Sequence, residues 1–155
     1  AMLPSRSMAN RTFAVGDIHG DLAAFERTLA KLPKIDTKDT LILMGQNTFE
    51  AVKDEVVARE VDTVRVAGKS IATRIFELVG LKGEVSAEKL AVLEAYALAL
   101  ALYRNRRFPE AQKAFDKVLA LDPSDGPSKT LKSRCFQYGL NPPPPDWDGA
   151  VALEK

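Results

Sequence analysis

Apolar residues are spaced in different ways along the chain, and each spacing predicts a different element. Thr12-Phe-Ala-Val15 is a short continuous apolar run ended by Gly16, the pattern of a strand buried on both faces. Leu22, Phe25, Leu29 and Leu32 recur at helical spacing, with Asp21 placed as an N-cap and Pro33 as a terminator. Thr40 to Met44 is a second apolar run, so strand, helix and strand make a right-handed βαβ unit. Asn47 and Glu50 predict a capping box for a short helix that buries Phe49 and Val52. Val57 to Val66 and Ala72 to Leu78 are β-branched runs either side of Gly68, which predicts an antiparallel hairpin. The fold class expected is α/β: a small mixed sheet of four strands in the order β-α-β-α-β-β. Four strands leave two edges, and open edges predict a homo-oligomer formed by strand pairing or by an exchanged element.

From Ser86 onward the chain turns helical and alanine-rich. Tyr96 to Tyr103 reads YALALALY, apolar on every side for two turns, and so predicts a buried or interface helix. A third helix is expected over roughly Asp125 to Tyr138, with Pro127 in its first turn. Pro142 to Pro145 favour an extended polyproline segment, and Trp147 offers a large anchor at its end. Two roles are open to that anchor: a peptide for a partner's aromatic groove, or an arm folded back on the chain's own helices or on a neighbouring subunit. The organisation expected is a short leader of vector residues over 1–7, a sheet domain over 8–80, a helical region over 81–140 and a proline-rich tail over 141–155.

Composition narrows the function classes. The 22 basic and 21 acidic residues leave a net charge of +1, so no general nucleic-acid or acidic-membrane surface is predicted. No apolar run approaches the roughly 20 residues of a membrane helix. A single cysteine, Cys135, excludes an intramolecular disulfide and fits a reducing, cytoplasmic setting. The stretch Gly16-Asp-Ile-His-Gly-Asp21 carries the chain's one histidine. Asp17 and His19, two apart at a strand end, project the same way and form a candidate metal pair. A hydrolytic metal site takes at least three protein ligands and an open position, and no further ligands are grouped in the sequence. The expectation is a chain without catalysis and without a cofactor.

Three stretches resemble known families. Residues 8–45, with Arg11 to Leu22 at their centre, resemble the opening of the calcineurin-like metallophosphoesterases, in particular the bacterial serine/threonine phosphatases. The resemblance implies that Asp17 and His19 bind a divalent metal such as Mn, Fe or Zn. The family's next block, Gly-Asp-x-x-Asp-Arg-Gly, is replaced here by Gly45-Gln-Asn-Thr-Phe49, and its Gly-Asn-His block is missing. Residues 46–78 resemble the end of a class III adenylate/guanylate cyclase domain, through Gln46 to Asp54, Val57 to Lys69 and Arg74 to Leu78. That resemblance implies a phosphate contact for Lys69, without the upstream residues a cyclase needs. Aligning Pro123 with the terminal proline of a tetratricopeptide repeat puts Leu98, Ala99 and Leu102, then Ala111, Phe115 and Val118, at packing positions, with Ala95 in place of the usual aromatic. One repeat cannot bury its own face, which implies a protein partner or packing on the sheet. The candidate partner-binding residues are Leu98, Leu102, Phe115 and Trp147. Taken together, the chain looks like a fusion or engineered chimera joined at Leu41 to Gly45, acting through protein association. The alternative is a metal-dependent phosphoesterase.

Overall fold

A computed structural model describes residues 12–16, 40–66 and 71–153. Five strands form one sheet: β1 (Thr12–Gly16), β2 (Thr40–Gly45), β3 (Val56–Val66), β4 (Ala72–Leu81) and β5 (Val151–Leu153), in the order β1-β2-β4-β3-β5. Among the described residues four helices join them: α1 (Gln46–Val52), α2 (Ala87–Arg104), α3 (Phe108–Leu121) and α4 (Gly126–Leu140). The mixed α/β sheet followed by helices is the predicted class. β1 pairs parallel with β2, as a crossover unit requires, while the predicted crossover helix lies outside the described residues.

β2 is the hinge of the sheet. It pairs parallel with β1 on one side and antiparallel with β4 on the other, with Met44 opposite Phe76. The hairpin of β3 and β4 is longer than predicted, because β4 continues to Leu81. It carries register shifts between Val57 and Ala58 and between Glu60 and Asp62. Val61 is the extra residue in the second shift, and its carbonyl accepts the Tyr96 hydroxyl at 3.3 Å.

Three expectations are corrected. The capping box at α1 does not form: the N-cap is Gly45 with no side-chain bond, and Glu50 pairs with Lys53 at 2.7 Å instead. Phe49 stacks on Phe76 at 4.2 Å yet stays half-buried, as does Val52, because one short helix on a sheet of this size covers little area. The four-stranded sheet gains a fifth strand. Residues 151–153 pair parallel with Val64, Arg65 and Val66, so one of the sheet's edges, the end of β3, is covered from within the chain.

The apolar core lies in the helices. Tyr96, Ala99, Leu100 and Tyr103 of α2 meet Phe108, Ala111, Phe115 and Val118 of α3 and Leu131 and Cys135 of α4. Caps and the turn explain where these helices start. Ser86 accepts from the backbone N–H of Lys89 at 3.2 Å, and Asp125 accepts from that of Ser128 at 3.0 Å. Arg106, between α2 and α3, takes a left-handed φ of 60°. Its guanidinium donates to the carbonyls of Pro144 at 2.7 Å and Pro143 at 2.5 Å, which holds the proline-rich arm against the turn.

Candidate functional site

Sheet and helices meet through charges. Arg59 of β3, 7% exposed, donates to Glu77 of β4 and to Asp125 at the start of α4, each at 2.6 Å, and lies 4.7 Å from the Tyr96 ring centre. Arg134 of α4 grips both oxygens of Asp62 at 3.0 Å. Arg104 of α2 pairs with Glu60 and with the Thr63 hydroxyl. A regular strand would turn Arg59 and Glu60 to opposite faces, as it would Asp62 and Thr63. Yet all four reach the helices through their side chains, and the extra residue at Val61 interrupts the alternation between the two pairs. Burial raises the Asp125 pKa, but bonds from Arg59 and Ser128 outweigh it and hold the carboxyl below its usual range. Burial pushes the Tyr96 and Tyr103 hydroxyls and the Cys135 thiol up, the last to about 11, so none of them is a nucleophile at neutral pH. This seam positions the helices against the sheet.

Among the described residues, nothing covers the opposite side of α2. Tyr96 and Leu98 are two residues and so about 200° apart on the helix, which sends one to the seam and the other away from it. Leu98 is 67% exposed. It stands in a groove of ≈ 650 Å³ whose floor is Ala95 and Leu102 of α2 and Ala114 of α3, with Lys117, Asn105 and Arg107 at the rim. The groove exists because its walls are small: Ala95 stands where the repeat pattern usually has an aromatic ring. Such a surface, apolar at the centre and cationic at the rim, can take the side of another helix but holds no reacting group.

The predicted site residues divide clearly. Leu98 and Leu102 share the groove. Phe115, expected to meet a partner, is instead fully buried, edge to face with Tyr96 at 5.8 Å. Trp147 packs edge-on against Tyr103 at 5.3 Å, Tyr138 at 5.5 Å and Phe108 at 6.0 Å, and its indole N–H donates to the Ala150 carbonyl at 3.1 Å. It is an arm folded on the chain's own helices rather than a free docking peptide. Asp17, His19 and Lys69 lie outside the described residues. Among the described residues no three His, Cys, Asp or Glu side chains group as a metal site, and no helix is long and apolar enough to cross a membrane. Lys117, Asn105 and Arg107 were not singled out from the sequence. Their signal was the helical spacing of Ala95, Leu98 and Leu102, extended across the hairpin to Ala114.

Comparison with known proteins supports two of the resemblances. Residues 92–125, which take in most of α2, all of α3 and the turn as far as the Asp125 cap of α4, match the tetratricopeptide repeat family. An adenylate cyclase described as terminal-differentiation specific, from Dictyostelium discoideum, is 35% identical over 100 residues. The match takes in 62% of this chain and only 5% of that much longer protein. No solved structure matches the chain. Tetratricopeptide repeats are commonly protein-binding elements, which agrees with an open groove on the repeat's first helix.

Proposed function

We propose that this chain is a non-catalytic protein-association unit, in which the groove between α2 and α3 receives a helix of another polypeptide. The observation that carries this reading is the exposure of Leu98 inside an apolar groove of ≈ 650 Å³. A single repeat has apolar packing positions that its own helices cannot cover, and here the sheet occupies the other side of α2. We further read the chain as a fusion in which a phosphoesterase-like segment, residues 8–45, leads into a cyclase-like sheet at β2. In support, β2 accepts a parallel neighbour and an antiparallel one at once.

A photo-crosslinking side chain at position 98, in the chain expressed in cells, tests the docking role. A protein adduct is expected from position 98 and none from position 82, in the turn after β4. Absence of any adduct at position 98 overturns the proposal.

A further inference from the structure

We infer that Tyr103, Phe108, Tyr138 and Arg106 form a recognition site for an extended, proline-rich segment of another polypeptide that carries a tryptophan. The chain's own arm, residues 142–148, is the site's resident and displaceable occupant. This is a second binding surface, and it stands whether or not the groove at Leu98 receives a helix. Its floor is built by the helices. Tyr103 of α2 lies 5.9 Å from Phe108 of α3 and 6.2 Å from Tyr138 of α4, ring centre to ring centre, and Phe108 lies 5.3 Å from Tyr138. The three rings hold one another in place through contacts that do not involve Trp147. Once the arm leaves, they line an aromatic surface, the kind on which proline-rich segments dock.

Arg106 supplies the polar half of the site. Its N–H donates to the Tyr103 carbonyl and the Arg107 N–H to the Leu102 carbonyl, each at 3.0 Å, the pattern that closes a helix on a left-handed residue. Glycine takes that position without strain. Here it is an arginine, the one non-glycine with positive φ among the described residues. Its side chain gives the reason, since the guanidinium reaches two successive carbonyls, those of Pro143 and Pro144. A polyproline run has no N–H groups and offers only carbonyls and apolar rings, so two donors beside an aromatic floor match what it presents. The arm spells out the rest of the ligand: a tryptophan three residues after the second clamped carbonyl, then an acid, Asp148, that meets Arg65 at 2.5 Å.

The clamped part of the arm is lightly held. Pro142, Pro144, Pro145 and Asp146 are exposed, while Pro143 and Trp147 are half-buried. Residues 142–145 donate no backbone hydrogen bond, and the exposed Arg65–Asp148 pair contributes little. Much of the hold is the tether: Asn141 joins the arm directly to α4, which gives it a local concentration on the order of millimolar. A free segment of the same kind is already extended before it binds, makes the same contacts, and has only that tether to outcompete.

A dye-labelled peptide of residues 141–150, titrated into the full chain carrying Trp147→Ala and followed by anisotropy, tests the site. Saturable binding is expected. The variant has no tryptophan, so the peptide's own indole emission should shift to the blue as it enters the ring cluster. The wild type should bind about tenfold or more weakly, because its arm competes. Trp147→Ala/Arg106→Gly should lose about tenfold or more in affinity yet unfold at no lower temperature than Trp147→Ala, an outcome that a merely structural arginine would not give. On the wild type itself, excess peptide should speed amide exchange at residues 151–153, as the arm leaves and β5 loosens. No saturable binding to Trp147→Ala with unchanged circular dichroism, equal affinity for wild type and variant, or indifference to Arg106→Gly each overturns the inference. Should Trp147→Ala lose its helical circular dichroism, the wild-type exchange decides alone, and no acceleration at 151–153 overturns it.

Discussion

Replacing Arg59 by Met tests whether the sheet is held to the helices by charge. The methionine keeps most of the stem and removes the guanidinium, which leaves Glu77 and Asp125 without their shared cation. The Asp125 side chain is 1% exposed, so its carboxylate would remain buried and unpaired. Breaking a buried ion pair in this way costs about 3–5 kcal/mol. With about 2–4 °C lost per kcal/mol in a chain of this size, thermal unfolding should drop by about 6–20 °C. The pH dependence gives a second reading. In the wild type the Asp125 pKa is depressed, so its contribution is present above the unfolded value of about 3.9 and is lost as pH falls through the folded one. In Arg59→Met, burial prevails and the carboxyl moves up, so acid protonates it and relieves the variant. The stability gap measured by urea unfolding should therefore narrow between pH 7 and pH 4, and Arg59→Met/Asp125→Asn should recover part of the loss. A loss below about 1 kcal/mol, the value of an exposed pair, would refute the reasoning, as would a gap of equal size at both pH values.

Other outcomes follow from the same contacts. Trp147 is the chain's one tryptophan, so its emission reports the arm: blue-shifted in buffer and red-shifted in urea. Solvent-like emission in buffer would refute the aromatic cluster. Trp147→Ala should lower stability by about 2–3 kcal/mol and speed amide exchange at Val64 to Val66, measured by hydrogen exchange, as β5 loosens. The raised pKa of Cys135, about 11, gives stability that is full below the unfolded value near 8.5 and lost as pH rises through about 11. Thiol labelling at pH 8 should be slow until urea unfolds the chain, and rapid labelling of the folded protein would contradict the burial. The purified chain should carry no stoichiometric Mn, Fe or Zn by elemental analysis, whereas chelator-sensitive cleavage of a phosphate ester would restore the phosphoesterase alternative.

Much of the architecture is legible in residue spacing. Continuous apolar runs marked β1 and β2, β-branched runs marked β3 and β4, and Pro123 and Pro127 framed the helices closely. What spacing could not carry was non-local. Val151 to Leu153 are three residues without a distinguishing pattern, and they become a strand only because Trp147 and Asp148 are fixed next to β3, Asp148 by Arg65 at 2.5 Å. The capping box at Asn47 and Glu50 failed because β2 runs straight into α1, which starts the helix two residues early at Gly45. The candidate site was half legible. Leu98 and Leu102 followed from the repeat pattern, but the same pattern marked Phe115, and periodicity does not separate the covered face of a hairpin from the open one. The Arg59, Arg104 and Arg134 seam was hidden because a one-residue bulge breaks the alternation from which a strand's facing is read.

The fifth strand has a consequence for the order of assembly. The helices gain their packing from neighbours close in sequence, whereas β3 completes its ladder with residues more than eighty positions later. A ribosome makes the sheet first, yet that sheet cannot close along β3 until Leu153 has been added. The nascent strands therefore wait, edge uncovered, until residues 151–153 deliver their cover, and any pause in synthesis between Val66 and Leu153 prolongs the interval in which another growing chain can take that place.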